Sequence, residues 1–121
     1  LVRRTRETLE HELERFVVVE RDGMIIGCAA LEEFPDDGMG ELYCLAVHPQ
    51  YREAGRGEAL GAYIAGRAKE RGLLRVFALT TQTAHFFFER GFTKSTVREL
   101  PVERKARYDR NRRSKVLLLE L

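Results

Sequence analysis

The stretch His48-Pro49-Gln50-Tyr51-Arg52-Glu53-Ala54-Gly55-Arg56-Gly57 decides how this chain is read: a β-type run stops at His48-Pro49, and an Arg-x-x-Gly-x-Gly loop opens directly into a helical pattern. A helix N-terminus presents unpaired backbone N–H groups and a partial positive charge. Glycines there let the chain turn sharply and approach a ligand without interference from Cβ. Arg52 and Arg56 add two guanidinium groups. The ligand such a loop suits is a phosphate or pyrophosphate, held by fixed backbone donors and mobile cations. A bare Gly-x-Gly also serves simply to shape a tight turn, so the surrounding pattern must carry the argument. The loop is neither the Gly-x-x-x-x-Gly-Lys-[Ser/Thr] of nucleoside triphosphatases nor a full Gly-x-Gly-x-x-Gly, and nucleotide hydrolysis and dinucleotide binding lose support.

Upstream of the loop, residues 41–47 (ELYCLAV) read as a strand that ends where Pro49 cannot extend a central ladder. Residues 16–20 and 24–31 are β-branched or apolar runs flanking Arg21-Asp22-Gly23, which predicts a hairpin, and residues 35–40 carry loop chemistry. Leu9 and Leu13, four apart among charges, predict a surface helix over residues 5–13. Downstream, residues 57–71 place Leu60, Ile64 and Ala68 at spacing four and end at Gly72, a natural left-handed cap. A buried strand is expected at 74–79, a short helix at 85–90, a strand at 92–97 and a last strand at 116–121. The charge-dense residues 101–115 suit helix or loop. The fold class is α/β (α+β) with a mixed sheet.

A length of 121 residues fits one domain and suffices for a core. With 44% hydrophobic and 33% charged residues, and no apolar run near the roughly 18 residues a membrane span needs, disorder and membrane insertion are disfavoured. Lys plus Arg (21) nearly balances Asp plus Glu (19), so the net charge of +2 makes no general case for nucleic acid or acidic membranes. Cys28 and Cys44 sit in apolar runs and are expected as buried free thiols. His11, His48 and His85 show no ligand spacing, so neither a disulfide framework nor a metal site is expected. No charged-then-apolar segment opens the chain, which suggests a cytoplasmic, reducing setting.

Residues 52–57 fit the pattern [Gln/Arg]-x-x-Gly-x-[Gly/Ala], and the loop resembles the pyrophosphate-binding loop of the GCN5-related N-acetyltransferases, the GNAT family. Leu45-Ala46-Val47-His48-Pro49 and Phe87-Phe88-Glu89-Arg90-Gly91-Phe92 fall where that family has its V-x-P and G-F marks. The resemblance runs from the second helix of that fold to its last strand. It implies a mixed, mostly antiparallel sheet with helices on both faces and splayed parallel fourth and fifth strands. The family's first strand and helix are missing from this chain, so residues 1–121 are expected as one acetyltransferase domain, the C-terminal part of a longer protein.

The resemblance also implies acetyl-CoA as co-substrate and no metal. Pantetheine would lie in a slot between residues 42–47 and 74–79, and Cys44, Leu45, Ala46, Val47, Arg52, Glu53, Ala54, Gly55, Arg56 and Gly57 would bind it. An attacking amine must lose a proton, and Glu41 falls where the family often keeps a catalytic Glu; the alternative is a solvated strand-end carboxylate. A backbone N–H near Cys44 or Leu45 would stabilise the developing oxyanion. The Cys44 side chain, without a His partner, is expected to pack rather than attack. The Tyr that many members carry four residues before the Gly of the G-F mark is Phe87 here, so that acid is absent; Thr80 would orient a water or donate weakly.

Within the family, Leu1-Val2-Arg3-Arg4-Thr5-Arg6-Glu7, Cys28-Ala29-Ala30-Leu31, Leu79-Thr80-Thr81 ahead of His85-Phe86-Phe87, and residues 100–117 are similar to the acetyltransferase domain of the bacterial N-acetylglutamate synthases. This implies acetyl transfer to the α-amine of L-glutamate in a ternary complex. Arg3 would hold one substrate carboxylate, and Arg112 with Ser114 the other, since a dicarboxylate needs cationic anchors. It also implies a homo-oligomer with an amino-acid-kinase-like domain upstream. Residues 103–115 hold seven basic and two acidic side chains, most of which read as a solvated, ion-paired surface. A nucleic-acid partner is disfavoured because only Tyr108 is interleaved for stacking. Acetylation of another amino acid or of a protein N-terminus, or a non-catalytic acetyl-CoA-sensing module, remain the other readings.

Overall fold

The turn signature at Arg21-Asp22-Gly23 forms the hairpin it announces. In the computed structural model of the chain, which describes residues 14–82 and 84–121 and only the backbone of residues 52–54 and 56, β1 (Phe16–Arg21) pairs antiparallel with β2 (Met24–Phe34). Asp22 and Gly23 both take positive φ (51° and 78°), which is what a tight turn matched to the strand twist requires. The helix expected over 5–13 lies outside the described residues.

A 3-10 turn at Pro35–Asp37 leads to β3 (Met39–Val47). This strand begins two residues earlier than expected, because Met39 and Gly40 pair with Phe34 and Glu33 of β2 instead of remaining in the loop. The 3-10 turn Pro49–Ala54 precedes α1 (Arg56–Glu70), followed by β4 (Arg75–Thr80), α2 (Ala84–Phe88), β5 (Thr93–Ser95), α3 (Val102–Ala106) and β6 (Lys115–Glu120). β5 is half the expected length: Phe92 turns into the core instead, and Val97 opens a further 3-10 turn. The charge-dense stretch resolves into α3 and a 3-10 turn, Arg110–Arg112.

The six strands lie in the order β1-β2-β3-β4-β6-β5. Among the described pairs only β3–β4 is parallel. Strand alternation splits the apolar residues between two faces. On one, Leu60, Ile64 and Ala68 of α1 pack with Leu31, Leu42, Val76, Ala78 and Leu117. On the other, Phe34, Phe77 and Val116 pack with Leu100, beside Val97 and Tyr108 of the segment that contains α3. Ile64, Ala68, Phe77 and Leu117 are fully buried. Each large side chain among them contributes about 1.5–3 kcal/mol of transfer free energy. The core thus holds the β3–β4 pair rigid from both sides.

Candidate active site

β3 and β4 are laddered only at their start, through Met39↔Arg75, Gly40↔Val76 and Glu41↔Phe77. Beyond Glu41 they part, and the cause is a bulge. While β2 runs from Cys28 to Ala30, β3 takes three steps between Ala46 and Tyr43, so Cys44 and Leu45 together oppose Ala29. A bulged strand bends and twists away from its neighbour. Cys44 adopts φ 53° at this point. β4 follows β6 instead, as far as Thr80↔Lys115. The parted ends bound a cleft of about 590 Å³, lined by residues 42–47, Leu79 and Thr80, Gly55 and Gly57, Phe86 and Phe87. The slot anticipated from sequence is therefore present, but its β4 wall is the far end of the strand; Arg75, Val76 and Phe77 are closed off by the ladder.

Two expectations about cysteine need correction. Cys44 is exposed and Cys28 half-buried, so neither is a buried core thiol and Cys44 does not pack in the core. The physical reason is the bulge: one extra residue inverts the side-chain alternation, so an apolar run no longer implies an inward side chain. Cys28 Sγ donates to the Cys44 carbonyl at 3.4 Å.

The glycine loop forms one end of the cleft. His48 Nδ1 accepts from the Gln50 N–H (3.2 Å) and starts the 3-10 turn. Gly55 ends it at φ 73° and opens α1. The Ala59 N–H donates to the Gly55 carbonyl (3.0 Å) as a first helical bond. The N–H groups of residues 56–58 therefore precede the helical ladder, the usual seat of an anion. Leu45, Ala46, Val47, Gly55 and Gly57 all line the cleft. Arg52, Glu53, Ala54 and Arg56 have their backbones in this loop, and their side chains lie outside what is described. Sequence reasoning missed Arg90, which also lines the cleft. Its guanidinium carbon sits 3.7 Å above the Phe86 ring, and Nη1 donates to the Phe86 carbonyl (2.7 Å). This stack backs the loop, since a Cβ on Gly57 would lie 3.4 Å from the Phe86 ring.

Glu41 occupies the last laddered position, where the strands begin to part. It is only 6% exposed, which excludes the solvated strand-end alternative. Arg104 Nε donates to its Oε1 at 2.6 Å. Burial pushes the Glu41 carboxyl above the usual carboxylate range; the hydrogen bond and charge of Arg104 pull it back down, Glu32 across the strand pair raises it, and Arg107 lowers it. Arg107 Nη2 in turn donates to Glu32 Oε2 (3.0 Å). These partnerships link residues more than sixty positions apart, and no local pattern announces them.

Thr80 is buried at the far wall of the cleft, its Oγ1 accepting from the Gln82 N–H (3.3 Å). Lys115 lies opposite it in the ladder, which sets the backbone of Ser114 beside the end of the slot. The Ser114 carbonyl accepts from the Tyr108 hydroxyl (2.7 Å). Arg112 is exposed on the adjoining 3-10 turn, and Arg3 lies outside the described residues. The glycine loop and the start of α1 thus contribute to the cleft lining, while Glu41 sits with Arg104 at the last laddered pair of β3 and β4. Among the described residues no three His, Cys, Asp or Glu gather as a metal site, and no helix is long and apolar enough to cross a membrane.

Comparison with known proteins agrees with this geometry. Curated amino-acid acetyltransferases from Aeromonas salmonicida and Shewanella oneidensis are 54% and 53% identical over 97% and 100% of the chain. The chain spans only 26% and 27% of their lengths. A structure of N-acetylglutamate synthase from Neisseria gonorrhoeae, complexed with coenzyme A and N-acetyl-glutamate, superposes with a TM-score of 0.89 at 43% identity, covering all of this chain and 29% of that one. Residues 12–94 match the Acetyltransferase (GNAT) domain. With the bulged, splayed strand pair and the glycine loop at its mouth, these matches show that the chain belongs to the GNAT acetyltransferase family.

Proposed function

We propose that this chain transfers an acetyl group from acetyl-CoA to the α-amine of L-glutamate, giving N-acetylglutamate and CoA. The observation that carries the reading is the cleft where β3 and β4 part, with Gly55 and Gly57 of the loop before α1 in its lining and the buried Glu41 at the last laddered pair, next to the point of parting. The names of the relatives and the ligands of the Neisseria structure support the choice of substrates.

In this reading the pyrophosphate sits at the N-terminus of α1 and pantetheine runs along residues 44–47, where β3 has left the β3–β4 ladder. The amine nitrogen bonds to the thioester carbonyl carbon while the C–S bond breaks. N–H groups at the Cys44–Leu45 bulge face the developing oxyanion. Before attack the ammonium group gives one proton to Glu41, directly or through one water, which frees the nitrogen lone pair; the second proton, released as the amide forms, passes through a water that Thr80 orients to the departing thiolate. Arg112 and Ser114 hold one substrate carboxylate and Arg3 the other. A cytoplasmic, homo-oligomeric protein with an amino-acid-kinase-like domain upstream completes the proposal.

Calorimetric titration with acetyl-CoA followed by glutamate, with a thiol-release assay on the same sample, tests it. Binding followed by thiol release specific to glutamate is the expected result. Binding without release points to a sensing module, and equal release with other amines to a different acceptor.

A further inference from the structure

Arg104 reaches Glu41 from α3, 63 residues away in sequence, and its side chain is 17% exposed. It donates through Nε to Oε1. The hydrogen bond anchors the buried carboxylate at Oε1. Among the described residues, Glu41 sits in a cluster of charged groups. Glu32 is its register partner on β2; Arg107, three positions beyond Arg104, pairs with Glu32 at 3.0 Å; and Arg15 approaches Glu32 at 3.7 Å. Tyr43, two residues along β3, is a further titratable group near this cluster. Arg104 is the one cation in this cluster with a hydrogen bond to Glu41.

We infer that Arg104 is a positioning residue for the transfer, fixing the buried Glu41 carboxylate through Oε1 and keeping it more readily ionised than burial alone would allow. The inference rests on reading Glu41 as the proton acceptor. Burial alone favours the protonated carboxyl, which cannot take a proton from an ammonium group. An adjacent guanidinium, which never deprotonates in proteins, offsets that tendency across the whole working range of pH. Arg104 touches neither reacting atom in this scheme: it acts through Glu41.

The test is the pH dependence of kcat in the intact protein, for wild type, Arg104→Gln, Arg104→Lys and Glu41→Gln, each with its acetyl-CoA affinity measured. In wild type the acidic limb rises as Glu41 ionises. In Arg104→Gln that limb should move up by about one pH unit or more, with the rate recovering at high pH and the acetyl-CoA affinity unchanged; below the limb the loss is about tenfold per unit. Arg104→Lys, which keeps the charge but not the planar fork, should shift less, and it carries the test if the Gln variant does not fold. A merely structural arginine would instead lower kcat equally at every pH, or weaken acetyl-CoA binding, and either result overturns the inference. Glu41→Gln separates the two layers. If it abolishes the limb while the Arg104 variants leave the limb in place, only the inference about Arg104 fails. If it leaves the limb unchanged, Glu41 is not the proton acceptor and both readings fall.

Discussion

Two glycines in one stretch of chain should respond to the same substitution with opposite signs. Gly55 sits at φ 73° where the loop turns into α1, and Gly66 lies inside α1 with no positive φ. Among the described residues no atom lies within 4 Å of a Cβ built on either one. Steric clash therefore drops out, and only backbone preference remains. At Gly55 an alanine pays about 1–2 kcal/mol for the left-handed region and recovers about 0.4–1 kcal/mol from a less flexible unfolded chain, a net loss of about 1 kcal/mol. At Gly66 the alanine is in ordinary helix and gains about 0.5–1 kcal/mol. Urea unfolding reads both: with m near 2 kcal/mol/M, the midpoint falls by about 0.5 M for Gly55→Ala and rises by about 0.25–0.5 M for Gly66→Ala, with m unchanged. Gly55→Asn, a residue that tolerates the left-handed region, should fall between wild type and Gly55→Ala. Only the changes at residue 55 should also weaken acetyl-CoA binding, since they tilt the first N–H groups of α1. If Gly55→Ala is as stable as wild type, or Gly66→Ala is destabilised as much, the conformational argument for the loop is wrong.

Three further outcomes are expected. Leu117 of β6, fully buried in the cluster that includes the apolar stripe of α1, should cost about 2–5 kcal/mol when replaced by alanine, read as a lowered urea midpoint; a loss below 1 kcal/mol would mean the core there collapses freely. Because burial raises the Glu41 pKa in the folded protein above its unfolded value near 4.5, the folded state binds that proton more tightly. Stability therefore falls as pH rises from 4.5 through the folded value. The stability of wild type minus that of Glu41→Gln should decline across that window and then level; a rising difference would show that Arg104 outweighs burial. Arg112→Glu should abolish turnover of glutamate while leaving acetyl-CoA affinity nearly intact, measured by thiol release and calorimetry. Equal loss of both would remove Arg112 from the acceptor side.

The elements most legible in the sequence were those with local causes. Asp22-Gly23 specifies its own turn, Leu60, Ile64 and Ala68 mark the buried stripe of α1, and Gly55 and Gly57 mark the loop that meets the cleft. What stayed hidden depends on pairing between distant segments. The bulge at Cys44 and Leu45 has no glycine to announce it; it exists because β2 and β3 differ by one residue between fixed pairs, and it reversed the expected burial of Cys44. Arg104 and Arg107 stood among seven basic residues that looked alike, and only the packing of α3 against β2 and β3 singles these two out as partners of Glu41 and Glu32. Arg90 was visible only as part of the G-F mark, while its stacking on Phe86 follows from the turn that α2 makes before Gly91.

The most direct measurement is product identification by mass spectrometry after incubating the protein with acetyl-CoA labelled in the acetyl group and an equimolar mixture of amino acids. Labelled N-acetyl-L-glutamate as the dominant product, lost in Arg112→Glu, is the expected result. Label spread over several amino acids, or transfer to glutamate that survives Arg112→Glu unchanged, would contradict the assignment of this cleft as a glutamate acetylation site.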